Sequence, residues 1–585
     1  MQKTMRNLGL AAAFILVSTA AFAGVLKNPY MIYPGVNTQM EILWQDTATE
    51  TTNTLTWDTD PNFGTNPQTV TVPEYGSYNQ HMYTINGLQP DTTYYYQVAD
   101  TTNGVYGTGS FITAPVSNST HVRFLGMGDS RTNPTALDSV MQAMQTFYQQ
   151  PGNSEYQRFV IHNGDWVSSD SDILWTQQWF GPIALNGNPS VALTDRINFT
   201  ANSPINGCKG NHDNNSSYPT GNSIYFPKYF PFPYQNTTVN GVPTPFNPAN
   251  VQAYGNLYYS YDYGPVHITV VDNYSNLADG SAQNTWVKND LALANANPNT
   301  PWKILIYHEP AYSAGSDGDN SNVRVLEKYV TQYGVDLIYC GHSHNYARTG
   351  AYTLAQANGD TIALNVPHIT SGGGGAPVYQ PDMTNAKGYP HVITAWPAFE
   401  FMTFDVNGKD LTMTAYQVNN VSTSAMPSNL SITPIETVKL HHYTNVASQV
   451  TATVSGFTYS RATKLYSGNL IITNNGPTAL AGNVDVVLDG LVDLNMIGAA
   501  NNQYSTNSPK QTSKIATKPA TGPGSTDPGL MTTVTLVNAT GSNNGEPMIQ
   551  ATTSGLAVGA SVTVPLTLSN PSSLPLNFNP ITYQE

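Results

Sequence analysis

Five short stretches of this chain end an apolar run in side chains that bind metal ions. In order they are VRFLGMGDSRT with Asp129, RFVIHNGDWV with Asp165, CKGNHDN with Asn211 and His212, WKILIYHEP with His308, and DLIYCGHSHNYAR with His342 and His344. Each apolar run has the length and β-branched content of a buried strand, and each closes in Gly, Asn, Asp or His residues that read as a loop. The polar side chains are therefore expected to collect along one edge of a sheet. Two carboxylates, one amide and three imidazoles meeting in one place would repel or stay half-satisfied without a cation among them. Hard oxygen and borderline nitrogen donors suit a divalent or trivalent transition metal, and a pair of metals bridged by one carboxylate fits this set.

The ordered motifs resemble those of the calcineurin-like metallophosphoesterases, whose signature runs D, GD, GNH, H, GHxH. Within that superfamily the text around them is most similar to the purple acid phosphatases: SYDYGPVHITVVDN at 260–273, QNTWVKNDLA at 283–292, YHEPAYSAG and GHSHNYAR all carry the likeness, over roughly residues 28–418. The resemblance implies a hydrolase of phosphate mono- or diesters with two metal ions (Fe, Zn or Mn). It implies that Asp165 is the bridging carboxylate, that Asp129 and His344 complete one metal, and that Asn211, His308 and His342 complete the other. If GHSH is extended, alternation puts His342 and His344 on the same side, within reach of adjacent metals.

His212 follows a ligand directly, so its side chain is expected to face the substrate and to stabilise phosphoryl charge or protonate the leaving alkoxide. Asp213 is expected to orient it. Arg131 and Arg348 are candidates for cationic contacts to phosphate, with the holding of a loop carboxylate an equal alternative. His162, just before the GD turn, reads as structural. Two departures from the resemblance concern one metal. Purple acid phosphatases carry an iron-binding tyrosine three residues after the GD aspartate, where this chain has Ser168, and many other metallophosphoesterases have DxH where this chain has Asp129-Ser130-Arg131. Water, Ser168, Asp170 or Asp172 are the candidates for the missing ligand.

The elements that must position these groups follow from periodicity. Residues 28–115 alternate apolar and polar between turn signals, which predicts a small β-sandwich of six or seven strands; Leu88 to Tyr96 looks like the turn and strand of a fibronectin type III module, and purple acid phosphatases of the larger kind carry such a module. From 120 to 418 strands alternate with helices, predicting an α/β domain with a layered sheet; the resemblance implies a metallophosphoesterase domain built as a layered β-sandwich flanked by helices. One helix opens at Pro134 with Leu137, Val140, Met141, Met144, Phe147 and Tyr148 on one face, and others are expected near 282–295 and 322–334. The Asn- and Pro-rich stretch 218–250 has no period and reads as a surface excursion overhanging the site. From about 450 to 585, runs rich in Thr, Val, Asn and Gly look like an immunoglobulin-like sandwich of the kind appended to secreted bacterial enzymes, with a low-complexity loop at 501–528.

Composition bounds the partners. Of 585 residues only 10% are charged, and the formal net charge is −15. Clustered cations are what phosphate-backbone binding requires, so no obligate nucleic-acid partner is expected. Residues 1–23 carry Lys3 and Arg6, an apolar stretch from Leu8, and Ala21-Phe22-Ala23 before Gly24, the pattern of a signal peptide and too short for a membrane span. The chain is expected to be exported, periplasmic or extracellular, with cell-surface or polysaccharide contact a use open to the last unit. Cys208 and Cys340 make no disulfide framework; packing, mutual pairing and metal ligation are the three readings, with packing first. A surface or adhesive protein built on a decayed phosphoesterase domain is the alternative to an enzyme.

Overall fold

The computed structural model describes residues 25–584 apart from 47–51, 77–78, 102–103, 182–198, 218–220, 316–317, 351, 356–360, 365, 382–391, 494–534, 544–545 and 570–575. The leader and the 501–528 loop lie outside the described residues. At the N-terminal end, strands Val25–Ile32, Met40–Asp46 and Gln80–Ile85 form one antiparallel sheet, and Gln68–Val72, Asn53–Asp58, Thr93–Asp100 and Gly104–Ile112 form another. In Thr93–Asp100 every second residue is buried, the period-2 signature of a strand with one face on a core. That core joins Ile42, Trp44, Leu55, Tyr96, Val98 and Phe111. The unit is tied to its neighbour by the Tyr96 hydroxyl, which donates to the Ala201 carbonyl at 2.9 Å.

In the central unit, strands are numbered in chain order: β1 His121–Met127, β2 Val160–His162, β3 Ile205–Gly207, β4 Tyr259–Tyr263, β5 Val266–Val270, β6 Trp302–Ile306, β7 Leu337–Cys340, β8 Tyr346–Thr349, β9 His368–Ser371, β10 Val392–Trp396, β11 Glu400–Asn407, β12 Asp410–Asn419 and β13 Ser431–His441. They build two sheets, β3-β2-β1-β11-β12-β13 and β4-β5-β6-β7-β9-β8-β10. In the first sheet β1, β2 and β3 are mutually parallel; in the second β5, β6, β7 and β9 are parallel. Because β13 pairs along β12, the unit extends past residue 418 to residue 441.

Alternation along the strands sorts side chains between two cores. In β6 Ile304 and Ile306 face the space between the sheets while Leu305 faces outward, and in β7 Leu337 and Tyr339 alternate with Ile338 and Cys340 in the same way. Helices α1 Pro134–Tyr148, α2 Ala282–Ala296 and α3 Glu327–Tyr333 pack on these layers. The six apolar residues of α1 are all buried. The stretch preceding α3 is a 3-10 turn, Ser321–Leu326, and Gly334 ends α3 in the left-handed conformation at φ 62°, the usual glycine stop.

Within the 218–250 stretch, residues 221–234 are not the expected surface excursion, whereas 235–250 lie largely at the surface. Phe226, Tyr229, Phe230, Phe232 and Tyr234 are buried in the main core, beside Trp166 and Trp175. A short helix, Tyr225–Tyr229, is started by Asp170, whose carboxylate accepts the backbone N–H of Ile224, Tyr225 and Phe226. Irregular backbone can bury its aromatics because its polar groups are met by a carboxylate rather than by a periodic ladder.

The C-terminal strands form two antiparallel sheets. One holds Thr444–Asn445, Leu576–Gln584, Val484–Asp493, Glu546–Thr552 and Gly541–Asn543, and the other Val450–Ser460, Leu465–Asn474, Ser561–Ser569 and Thr535–Leu536. Their shared core includes Leu470, Ile472, Val484, Val486, Leu566 and Leu568. Among the described residues no helix is long and apolar enough to cross a membrane.

Candidate metal centre

Asp129 follows β1, Asp165 follows β2, and Asn211 and His212 follow β3, all at the C-terminal ends of parallel strands in the first sheet. His308 follows β6, and His342 and His344 follow β7, in the second sheet. The donors therefore come from two sheets that face one another, not from one edge as the sequence suggested. A glycine precedes four of them. A Cβ on Gly128 would lie 1.4 Å from Asn163 Oδ1, on Gly164 2.6 Å from His308 Nδ1, on Gly210 2.0 Å from Asp165 Oδ1, and on Gly341 2.4 Å from Asp129 Oδ2. The loops touch where the donors meet, and only a residue without a side chain fits. Asp129, Asp165 and His342 have φ of 53°, 57° and 70°. Non-glycine residues in that region are strained and concentrate at sites whose surroundings hold them there.

The positive φ of His342 corrects the extended reading of GHSH. The turn instead sends His342 Nδ1 to within 3.1 Å of Asn211 Oδ1 and His344 toward Asp129, with Nε2 3.5 Å from Oδ1. His308 Nε2 lies 3.1 Å from Asn211 Oδ1 and 3.3 Å from Asp165 Oδ1. Three imidazoles are oriented identically: Nδ1–H donates to a backbone carbonyl, that of Asn163 for His308 at 2.9 Å, Pro377 for His344 at 2.8 Å and Ser168 for His212 at 2.9 Å. Each Nε2 is left for other work, the arrangement that fixes a histidine's tautomer at metal sites. Tyr379 stacks on His344 at 4.2 Å between ring centroids. Pro377 and Tyr379 come from a glycine-rich loop after β9 in which the sequence offered no periodicity to read.

The electrostatics favour a cation. Asp129 is fully buried and its Oδ1 accepts no hydrogen bond from the described residues, while Oδ2 accepts the His342 N–H at 2.9 Å. Burial, with Asp165 nearby, pushes the Asp129 carboxyl up. Burial acts on Asp165 too, but His308, His212 and Arg131 outweigh it and hold that carboxyl well below the usual range. Burial lowers His308, yet Asp165 and Asp129 carry it up to about 10. A metal ligand must shed that proton, so a cation bound here takes its place. Ligand atoms of Asp129, Asp165 and His308 all lie within 4.8 Å of one another. Donor pairs about 3 Å apart are what two ligands at roughly 2.1 Å from one ion produce, so the residues fit a metal.

Other expected site residues are occupied elsewhere. Asp213 does not orient His212: its carboxylate accepts the backbone N–H groups of Trp166, Val167 and Gly210 at 2.7–3.2 Å, and the Ser168 carbonyl holds the imidazole instead. Arg131 Nε donates to Asp165 Oδ2 at 2.9 Å and an Nη group to His344 Nε2 at 3.2 Å. Arg348 is bound to Glu436 at 2.7 and 3.0 Å, away from the donors. His162 is structural as expected, bonded to Ser130 Oγ at 3.1 Å and stacked on Trp166. Neither acidic candidate for the missing ligand reaches the site, since Asp170 caps the Tyr225 helix and Asp172 pairs with Lys27 at 3.5 Å. The Ser168 hydroxyl bonds Thr132 at 3.1 Å. Both cysteines are free and buried, Cys208 in the core between the sheets and Cys340 in the outer one.

Set beside known proteins, residues 122–346 match the calcineurin-like phosphoesterase family, and residues 27–113 match the N-terminal domain of purple acid phosphatases. The chain carries a calcineurin-like phosphoesterase domain behind a purple acid phosphatase N-terminal domain. Similar curated relatives include purple acid phosphatase 18 of Arabidopsis thaliana, 25% identical over 52% of this chain and 59% of that protein, and purple acid phosphatase 1 of Ipomoea batatas, 27% identical over 52% and 62%. The match thus spans little more than half the length of these phosphatases. Among solved structures, the purple acid phosphatase PPD1 from yellow lupin (Lupinus luteus) shares the fold at a TM-score of 0.52 and 17% identity, over 72% of this chain and 74% of that one. A structure of PhoD aligns at 0.50 and 11% identity, over 72% and 91%. The phosphoesterase domain thus has the fold its motifs implied.

Proposed function

We propose that the chain is an exported, metal-dependent phosphohydrolase that cleaves phosphate mono- or diesters. The observation that carries this reading is the convergence of Asp129, Asp165, Asn211, His308, His342 and His344 from both sheets around a buried carboxylate oxygen that no protein donor satisfies. A cation held there supplies a Lewis acid for a phosphoryl oxygen and lowers the pKa of a water molecule that attacks phosphorus. The chain does the rest. Asp165 is reached by His308 on one oxygen and by Arg131 on the other, which fixes its orientation. Asn211 presents one amide oxygen to both His308 and His342. His212 is half-buried with Nδ1–H fixed to Ser168, so a proton carried on Nε2 is free to pass to the leaving alkoxide. The alternative of an adhesive protein on a decayed site gains no support from a cluster in which two carboxylates, one amide and three imidazoles still meet.

The test is hydrolysis of nitrophenyl phosphate and bis-nitrophenyl phosphate by the purified protein, with Asp165→Ala alongside. The variant is expected to lose both activity and bound metal. Full activity in Asp165→Ala, or in chelated protein with no measurable metal, refutes the reading.

A further inference from the structure

The resemblance assigns two metal ions to this site, and half of that assignment does not fit the residues present. One subsite would be built from Asp129, the outer oxygen of Asp165 and His344. The Arg131 guanidinium already engages two of those three groups, through Asp165 Oδ2 at 2.9 Å and His344 Nε2 at 3.2 Å. His344 commits Nδ1–H to the Pro377 carbonyl at 2.8 Å, so the nitrogen facing Arg131 is its lone-pair nitrogen, the atom a metal would need. The guanidinium is also fastened by a third bond, to the Thr132 hydroxyl at 3.1 Å. It is a permanent cation. Asp129, Asp165 and His344 are almost completely buried, so little water is available to screen a second positive ion placed against it. The candidate side chains for completing such a subsite, Ser168, Asp170 and Asp172, are bonded elsewhere.

The other side of the cluster holds no permanent cation among the described residues. Asp129 Oδ1 has no donor, and oxygens of Asp129 and Asp165 with a nitrogen of His308 lie mutually within 4.8 Å. Asn211 Oδ1 stands 3.1 Å from both His308 Nε2 and His342 Nδ1. Two carboxylates are balanced by one divalent ion and one guanidinium with a single positive charge to spare, whereas two divalent ions beside the guanidinium leave three. We infer that this site takes one divalent metal ion, and that the guanidinium of Arg131 stands in the place of the second. The inference rests on the donor set assigned under Proposed function.

Counting metal separates the two readings without any assay of turnover. Protein stripped with a chelator is dialysed against Mn²⁺, and bound manganese per chain is measured by elemental analysis and by electron paramagnetic resonance. The wild-type chain is expected to hold one ion with an uncoupled manganese spectrum, because metal ligands must be deprotonated and unoccupied for the ion to bind. Arg131→Ala, which clears the space, and Arg131→His, which puts an imidazole into it, are expected to hold two and to show an exchange-coupled pair. Two ions or a coupled spectrum in the wild-type chain overturns the inference, as does a folded Arg131 variant of both kinds that gains no second ion. If circular dichroism shows both variants unfolded, the wild-type count and spectrum decide alone. No bound manganese in the wild-type chain instead refutes the donor set itself.

Discussion

Lys209 lies two residues before Asn211, and its ammonium is buried beside the carboxylate of Asp272, Nζ to Oδ2 3.3 Å, with both side chains at 0% exposure. Nζ also bonds Asn214 Oδ1 at 3.1 Å and the Gly221 carbonyl, so one cation pins the loop that presents Asn211 and His212. Asp272 is otherwise met by neutral donors, the N–H groups of Leu257 and Tyr274 at 3.0 Å and the Ser275 hydroxyl at 2.7 Å. Lys209→Met keeps the volume and removes the charge, stranding a buried carboxylate. Breaking one partner of such a pair costs about 3–5 kcal/mol. For a unit of this size that is roughly a 4–7 °C fall in the melting temperature. Adding Asp272→Asn keeps a side chain of nearly the same shape and removes the stranded charge, so the double variant is expected to regain half or more of the loss. Calorimetry on the full chain reads both values, and metal titration should show affinity weakened about 10- to 100-fold, as when a group supporting a ligand is removed. A loss below about 1 kcal/mol, or no recovery on adding Asp272→Asn, refutes the reasoning.

Three further outcomes are expected. His212→Ala should retain bound metal yet lose roughly 10²- to 10⁴-fold in turnover, with a smaller loss for nitrophenyl than for alkyl phosphates because a good leaving group needs no proton; equal losses would make His212 a phosphate-binding residue instead. Protein loaded with ferric iron should show no visible charge-transfer band of a bound phenolate, since the position three residues after Asp165 is Ser168 and its hydroxyl bonds Thr132; a band in the visible spectrum would show that another tyrosine had moved in. His267 is buried, which lowers its pKa, but Asp262 and Asp290 at 2.7 and 3.1 Å carry it up to about 9. Its folded value thus lies above the unfolded one near 6.5, so this contribution is complete below about pH 6.5 and is lost as pH rises through 9. Stability measured from pH 6 to 10 should fall across that window in the wild-type chain and less steeply in His267→Gln.

The five motifs were legible because each is a local event: a buried strand ends and a donor follows at once. Strand ends at Met127, His162, Gly207, Ile306 and Cys340 fall within four residues of the donors read from sequence. The helices at Pro134 and Ala282 were legible for the same reason, since a 3.6-residue period needs no knowledge of partners. What the sequence hid is what depends on partners far along the chain. Nothing local says that Asp213 spends its carboxylate on the backbone of Trp166, that Arg131 lies against His344, more than 200 residues later, or that Phe226 to Tyr234 fill a core without a period. Which strands and donors fall in which layer is hidden for the same reason, because β1 pairs with β11 rather than with any strand of the second sheet.

That split bears on how the protein matures. Asp129, Asp165 and Asn211 belong to a sheet whose parallel strands are complete once Gly207 has been made, yet the imidazoles opposite them follow strands ending at Ile306 and Cys340. During synthesis the second half of the donor set is not available until about 130 more residues have emerged, and the sheets that present it take in strands as late as β13, ending at His441, because domains fold as their chain becomes available. On the reading proposed above, metal loading would therefore wait on the docking of the two sheets. A metal bound there would work as a clasp between layers, adding RT ln(1 + [M]/Kd) to their union, about 2.7 kcal/mol when free metal stands at 100 times Kd. A chain that matures where metal is scarce would carry its two layers joined by apolar packing and by polar bonds such as Arg348 to Glu436 and Asn163 to the Ser371 carbonyl.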